Sequence, residues 1–133
     1  MELVVSYAGG RKVDATFNGF TVCTDQPKKD GGDETAPEPF QYFLASIGTC
    51  AGYYVLDFCL ERKIPAEGIQ LILRTERNEE IRMTSKITIE IQLPGFFPEK
   101  YKKAVVRAAE LCSVKKHIQR APEFETYVTV QGE

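Results

Sequence analysis

The chain has 133 residues and is 43% hydrophobic, enough for one compact domain over 1–133 and too short for a second of ordinary size. Its formal charge of −2, from 17 basic and 19 acidic residues interspersed along the chain, gives no field to draw nucleic acid or an anionic membrane, so neither partner is expected. The start, MELVVSYAGG, has no basic leader ahead of an apolar stretch, and no run is read as reaching the ~20 apolar residues of a bilayer span. A soluble, cytoplasmic protein is the expectation.

In chain order, Leu3, Val5 and Tyr7 alternate as a strand would, Gly9-Gly10 turn the chain, and Val13–Thr16 and Phe20–Thr24 flank Asn18-Gly19, a strong hairpin signal. The stretch QPKKDGGDETAPEP, residues 26–39, is polar and rich in Pro and Gly and reads as a mobile loop. Next, Phe40, Phe43, Leu44, Ile47, Ala51, Tyr54, Val55 and Phe58 recur at helical spacing with no charge before Asp57. They predict one long core helix, apolar nearly all round, which a second subunit would help to cover. Pro65 and Gly68 are expected to end it.

Two half-buried strands follow, through Ile69, Leu71 and Leu73 and through Ile87, Ile89, Ile91 and Leu93. After Pro94-Gly95, Pro98 suits a first helical position, and Tyr101, Ala104, Val105, Ala108 and Cys112 mark the inner stripe of a second helix. Ser113 can cap a further short turn through Ile118, and Phe124–Val130 should return as a closing strand. Strands grouped before and after helices predict an α+β fold with an antiparallel or mixed sheet.

The four cysteines, at 23, 50, 59 and 112, form no C-x-x-C pair, and His117 cannot complete a zinc set with them, so no metal or other cofactor is expected. The sequence has no G-x-S-x-G and no phosphate-binding glycine loop. Cys50 and Cys59 project from opposite sides of the long helix, whereas Cys50 and Cys112 both face inward, where the two helices could bring them together. The plainer alternative is that each is a small core hydrophobe. Cys23 and Cys59 read as structural, and His117 as an exposed residue beside Lys115 and Lys116.

The segment PFQYFLASIGTCAGYYV, with Pro39 eleven positions before Cys50, resembles the first-cysteine motif of the OsmC/Ohr family. AAELCSVKK resembles its second-cysteine motif, the 62-residue separation of Cys50 and Cys112 is in the family's range, and the order of elements agrees over nearly the whole chain. The resemblance implies an OsmC-like α+β fold, an intertwined homodimer and a site at each end of the dimer interface. It also implies a peroxidase for organic hydroperoxides or hydrogen peroxide: Cys50 attacks the peroxide, becomes a sulfenic acid and condenses with Cys112 to a disulfide. A dithiol reductant, a lipoyl protein being one candidate, would restore both thiols. The cation that such a thiolate requires would be Arg11, which follows Gly9-Gly10 as the family's arginine does.

The family's carboxylate is missing, because its two customary positions hold Phe40 and Gln41. Glu38, Asp57 or a hydrogen bond from Gln41 to Arg11 are the available substitutes, and the departure points to a less characterised branch. Phe40, Phe43 and Tyr54 are expected to line the substrate pocket. Two alternatives stand beside the peroxidase: a binding protein for a hydrophobic small molecule in the interface pocket, and a persulfide or sulfur carrier on Cys50.

Overall fold

The computed structural model describes residues 1–132. It is α+β, with two antiparallel sheets and three helices. The residues gather into two compact units, Met1–Ser46 and Ile47 onward, with the division falling inside the long helix.

The first unit holds β1 (Val4–Gly9), β2 (Lys12–Phe17) and β3 (Phe20–Thr24) in an antiparallel meander. Asn18 and Gly19 both have positive φ, 47° and 80°, and close β2 onto β3 by pairing Phe17 with Phe20. The loop that follows is tied down, contrary to the mobility expected of it. Asp25 is fully buried, and its carboxylate accepts the N–H of Gln26 at 2.8 Å and the N–H and hydroxyl of Thr35 at 3.1 and 2.7 Å. A β-carbon on Gly32 would stand 2.0 Å from the Gln26 carbonyl oxygen, so the loop closes only with glycine there.

The long helix, α1, is continuous from Pro39 to Glu61. Gln41 turns its side-chain oxygen back onto the Glu38 N–H at 3.0 Å, half of a capping box, with Pro39 at the first helical position. The helix stops before Pro65. Ile64 N–H reaches the Cys59 carbonyl at 2.9 Å and Lys63 N–H the Leu60 carbonyl at 3.3 Å, while Lys63 takes φ 55°, which is a Schellman ending. By length and composition α1 could cross a membrane, contrary to the sequence expectation. The core helix of a soluble protein passes the same test, and α1 packs one stripe into a core.

That core lies in the second unit. Ile47, Ala51, Val55, Phe58 and Cys59 are its buried stripe, and Val105 and Ala109 of α2 (Lys102–Ala109) join it. The hairpin of β4 (Gln70–Asn78) and β5 (Met83–Gln92) pairs Leu71 with Ile91 and Leu73 with Ile89, gathering its apolar residues on one face. Leu71, Ile89 and Ile91 pack against the core from there. The Phe58 ring meets Tyr101 edge-on at 5.7 Å and lies 3.7 Å below the Arg62 guanidinium carbon.

Three further expectations change. Pro98 caps a single 3-10 turn, Glu99–Tyr101, instead of starting a helix. The further turn expected from Ser113 forms as α3 (Ser113–Gln119), but Cys112, expected on the inner stripe of the second helix, lies in the bend between α2 and α3. Phe124–Val130 forms no strand, because among the described residues no strand supplies a ladder for its backbone, and Phe124, Val128 and Val130 stand about nine-tenths exposed.

Two outcomes follow from this packing. Phe58→Ala should lower stability by about 3–5 kcal/mol in urea unfolding, since it empties the centre of the α1–α2 core. The hydrogen bonds from Thr35 and Gln26 hold the Asp25 carboxyl well below its ordinary value. Its stabilising contribution is therefore complete above about pH 4, the unfolded value, and fades as pH falls further. Limited proteolysis across residues 26–38 should show constant protection from neutral pH down to about pH 4 and loss below it. Asp25→Asn should weaken that protection already at pH 7.

Candidate active site

Cys50 lies on α1 between Ile47 and Ala51 of the buried stripe and is itself half-buried. Cys112 reaches it from the α2–α3 bend. Its backbone, at φ −47° and ψ 118°, departs from helix, and its Sγ accepts the Lys115 N–H at 3.3 Å. Cys112, and not Ser113, is thus the N-cap of α3. The Cys112 thiol is 1% exposed and sits 4.0 Å from the Ile47 carbonyl oxygen on the turn of α1 just before Cys50. Ser113 brings its hydroxyl to 3.8 Å from Cys50 Sγ.

The two thiols are driven apart in acidity. Burial pushes the Cys50 pKa up, but the N–H of Val114, the Cys112 thiol, and the hydroxyl and N–H of Ser113 all favour its thiolate, and the net shift is downward. Cys112 moves the other way: burial raises it, the neighbouring Cys50 raises it further, and the Lys115 N–H offsets only part. The pair is a half-exposed thiol biased towards thiolate beside a buried one biased towards the protonated form. Cys112 also opens onto a cavity of about 330 Å³ walled by Ile47, Ile87, Ile89, Ile91, Val106 and Ile118, with Lys115 and Glu110 supplying polar groups.

The sequence profile of the family described as OsmC-like protein matches residues 31–127, which include both cysteines. The chain belongs to the OsmC-like family. No curated protein matches it. Among solved structures, a protein from Psychrobacter arcticus 273-4, assigned to osmotic stress induction and detoxification response, is 21% identical, with TM-score 0.73 over 86% of this chain and 85% of that one. The organic hydroperoxide resistance protein OsmC of Legionella pneumophila is 21% identical, with TM-score 0.53 over 90% of each chain. OhrB of Bacillus subtilis, an organic hydroperoxide resistance protein, is 22% identical, with TM-score 0.52 over 88% of this chain and 90% of that one. At these identities the likeness is one of fold.

The other residues singled out in this OsmC-like chain fall as follows. Arg11 belongs to the first unit, is exposed, and lays its guanidinium against Gly31, where a β-carbon would stand 3.1 Å from Nε. Gln41 commits its side-chain oxygen to the Glu38 N–H, which makes both residues parts of the α1 start. Phe40 and Phe43 pair with each other at 5.3 Å in the first unit, and Tyr54 pairs with Tyr53. None of the three lines the cavity beside Cys112, whose walls come from β5, α2, α3 and the Ile47–Ala51 turn. His117 holds its Nδ1 2.6 Å from the Ser113 carbonyl oxygen, within its own helix. Cys59 is buried in the core with its pKa raised by burial, against the opposing Arg62 charge. Cys23 is exposed, and its carbonyl accepts the Tyr42 hydroxyl at 2.7 Å. Among the described residues no three His, Cys, Asp or Glu side chains are grouped as a metal ion would require.

The groups that sequence reasoning missed are mostly main chain. The N–H groups of Ser113, Val114 and Lys115 and the Ile47 carbonyl have no signature in residue type. Ser113 carried a signal, its place directly after Cys112, but it read as a cap.

The acidity split sets an order of reaction with an alkylating agent, because only thiolate is nucleophilic. Iodoacetamide at pH 7.5 should label Cys50 well before Cys112 and Cys59, as read by peptide mass spectrometry. Cys50→Ser removes the negative neighbour of Cys112 and should bring the Cys112 pKa down, so that its labelling begins at lower pH than in the unaltered protein.

Proposed function

We propose that this OsmC-like protein is a thiol peroxidase for organic hydroperoxides or hydrogen peroxide. The observation that carries the reading is the pairing of half-exposed Cys50 on α1 with buried Cys112, which the bend brings to the turn of α1 just before Cys50. The hydroperoxide resistance attributed to the Legionella and Bacillus proteins of the same fold supports it.

The Cys50 thiolate attacks the outer peroxide oxygen, the O–O bond breaks, and the inner oxygen leaves as an alcohol, or water, after gaining a proton. Cys50 is then a sulfenic acid. The Cys112 sulfur attacks it, the S–O bond breaks, water departs, and a Cys50–Cys112 disulfide remains. The peroxide has gained two electrons and the two thiols have lost them. A dithiol, for which a lipoyl protein is a candidate, returns them in the reducing cytoplasm.

Two copies of the chain acting together belong to the same reading. In the single chain Tyr53, Leu56 and Leu60 of α1 and Phe124, Tyr127, Val128 and Val130 remain exposed, more apolar surface than a soluble monomer ordinarily shows to water. Light scattering should give twice the 15.0 kDa chain mass.

A second reading is favoured by the apolar cavity beside Cys112, which would suit a hydrophobic small molecule held without chemistry.

Treatment with one equivalent of cumene hydroperoxide, followed by intact and peptide mass spectrometry, separates the two. A two-hydrogen loss mapping to Cys50 and Cys112 is expected. Cys50→Ser should reduce peroxide consumption to the uncatalysed rate, and Cys112→Ser should leave a sulfenic acid that dimedone traps. Untouched thiols, with a ligand that co-purifies and survives Cys50→Ser, would establish the binding protein instead.

A further inference from the structure

We infer that Ser113 is a third member of the redox centre, its hydroxyl donating a hydrogen bond to the Cys50 thiolate. Its place in catalysis rests on the peroxidase reading, whereas the hydrogen bond itself does not.

A serine at the start of a helix serves the helix when it is the N-cap, by accepting an N–H of the first turn. In α3 that work is done by Cys112, whose Sγ takes the Lys115 N–H at 3.3 Å. The Ser113 hydroxyl is left to another use, and it lies 3.8 Å from Cys50 Sγ, within reach of a hydrogen bond to a large sulfur acceptor. Its backbone is fixed as well: the His117 ring nitrogen lies 2.6 Å from the Ser113 carbonyl oxygen one turn on, which steadies the residue.

The chemistry of the pair calls for such a donor. The Cys112 thiol also favours the Cys50 thiolate, but in the proposed cycle it goes on to attack the Cys50 sulfenic acid, whereas the Ser113 hydroxyl takes no part in bond making. Ser113 keeps its proton. It acts by hydrogen bonding alone, with no bond made or broken, and it is present before and after each turnover. The titratable groups around it are Cys50 on α1, Cys112 in the bend, and Lys115 and His117 on α3. Of these, Cys112 is the one hydrogen-bonded to Cys50, Lys115 gives its N–H to Cys112, and His117 bonds the Ser113 carbonyl.

The test is the pH profile of Cys50 alkylation by iodoacetamide in the full-length protein, resolved by peptide mass spectrometry. No peroxide is used, so a protein without peroxidase activity still reports on Ser113. Ser113→Ala should slow alkylation at pH 7 on the order of tenfold and leave the rate above pH 10 unchanged, since a bond to a charged acceptor is being lost. Ser113→Thr should restore the profile. Superimposable profiles for wild type and Ser113→Ala, with both proteins folded by circular dichroism, overturn the inference. If Ser113→Ala does not fold, Ser113→Thr and Ser113→Val decide it, being matched in shape and different in the hydroxyl. Equal profiles for those two overturn it, and a tenfold gap at pH 7 sustains it.

Discussion

The second unit is organised by one packed seam, the stripe of α1 from Ile47 through Cys59 against α2 and the β4–β5 hairpin. Apolar burial drives that seam, and its geometry is exacting because residues one α-helical turn apart must all find partners at once. Cys50 lies one position off the stripe, so it is held by the seam without being sealed beneath it. Cys112 comes from the bend that follows α2, and the direction of α2 is set by Val105 and Ala109 on the same seam. The site inherits its precision from the core. No residue of the cysteine pair has to fix its own position.

The thiol pair then acquires its asymmetry from unequal burial and from main-chain dipoles. Desolvation disfavours both thiolates, yet the donors at the start of α3 outweigh it for Cys50, whereas for Cys112 the Lys115 and Val114 N–H groups do not offset burial and a negative neighbour. No Asp, Glu, Lys or Arg side chain has a part in this. A chain that lacks the carboxylate expected at Phe40 or Gln41 therefore still has a way to favour the Cys50 thiolate, because N–H groups and a hydroxyl aimed at sulfur act at short range in a partly water-excluded place.

Apolar residues left outside the seam bear on the assembly proposed above. α1 is apolar on more of its circumference than one chain covers, and the segment from Phe124 to Val130 alternates as a strand does without a partner for its backbone. The second copy proposed above would meet both needs through one association, by covering the helix and offering a ladder to the segment.

Much was legible in the residues themselves. Periodicity located every strand from β1 to β5 and the whole of α1, because alternation and the 3.6-residue repeat are local consequences of which face is buried. Asn18-Gly19 announced its turn, since two positive φ values are needed there and few residues accept them. The motifs around Cys50 and Cys112 pointed to the family. Other features depended on residues distant in sequence. Asp25, read as part of a polar loop, is the buried anchor of that loop, and only the fold brings Thr35 to it. The placing of Cys112 in the bend, where it and not Ser113 is the cap, and the aim of the Ser113 hydroxyl depend on a turn of α1 some 65 residues earlier. The unpaired closing segment likewise waits on a ladder that its own sequence cannot provide. Sequence by itself determined what each segment prefers, since burial pattern and turn chemistry are local; tertiary structure decided which thiol has its pKa lowered and which has it raised, since that depends on backbone dipoles and water exclusion gathered from distant parts of the chain.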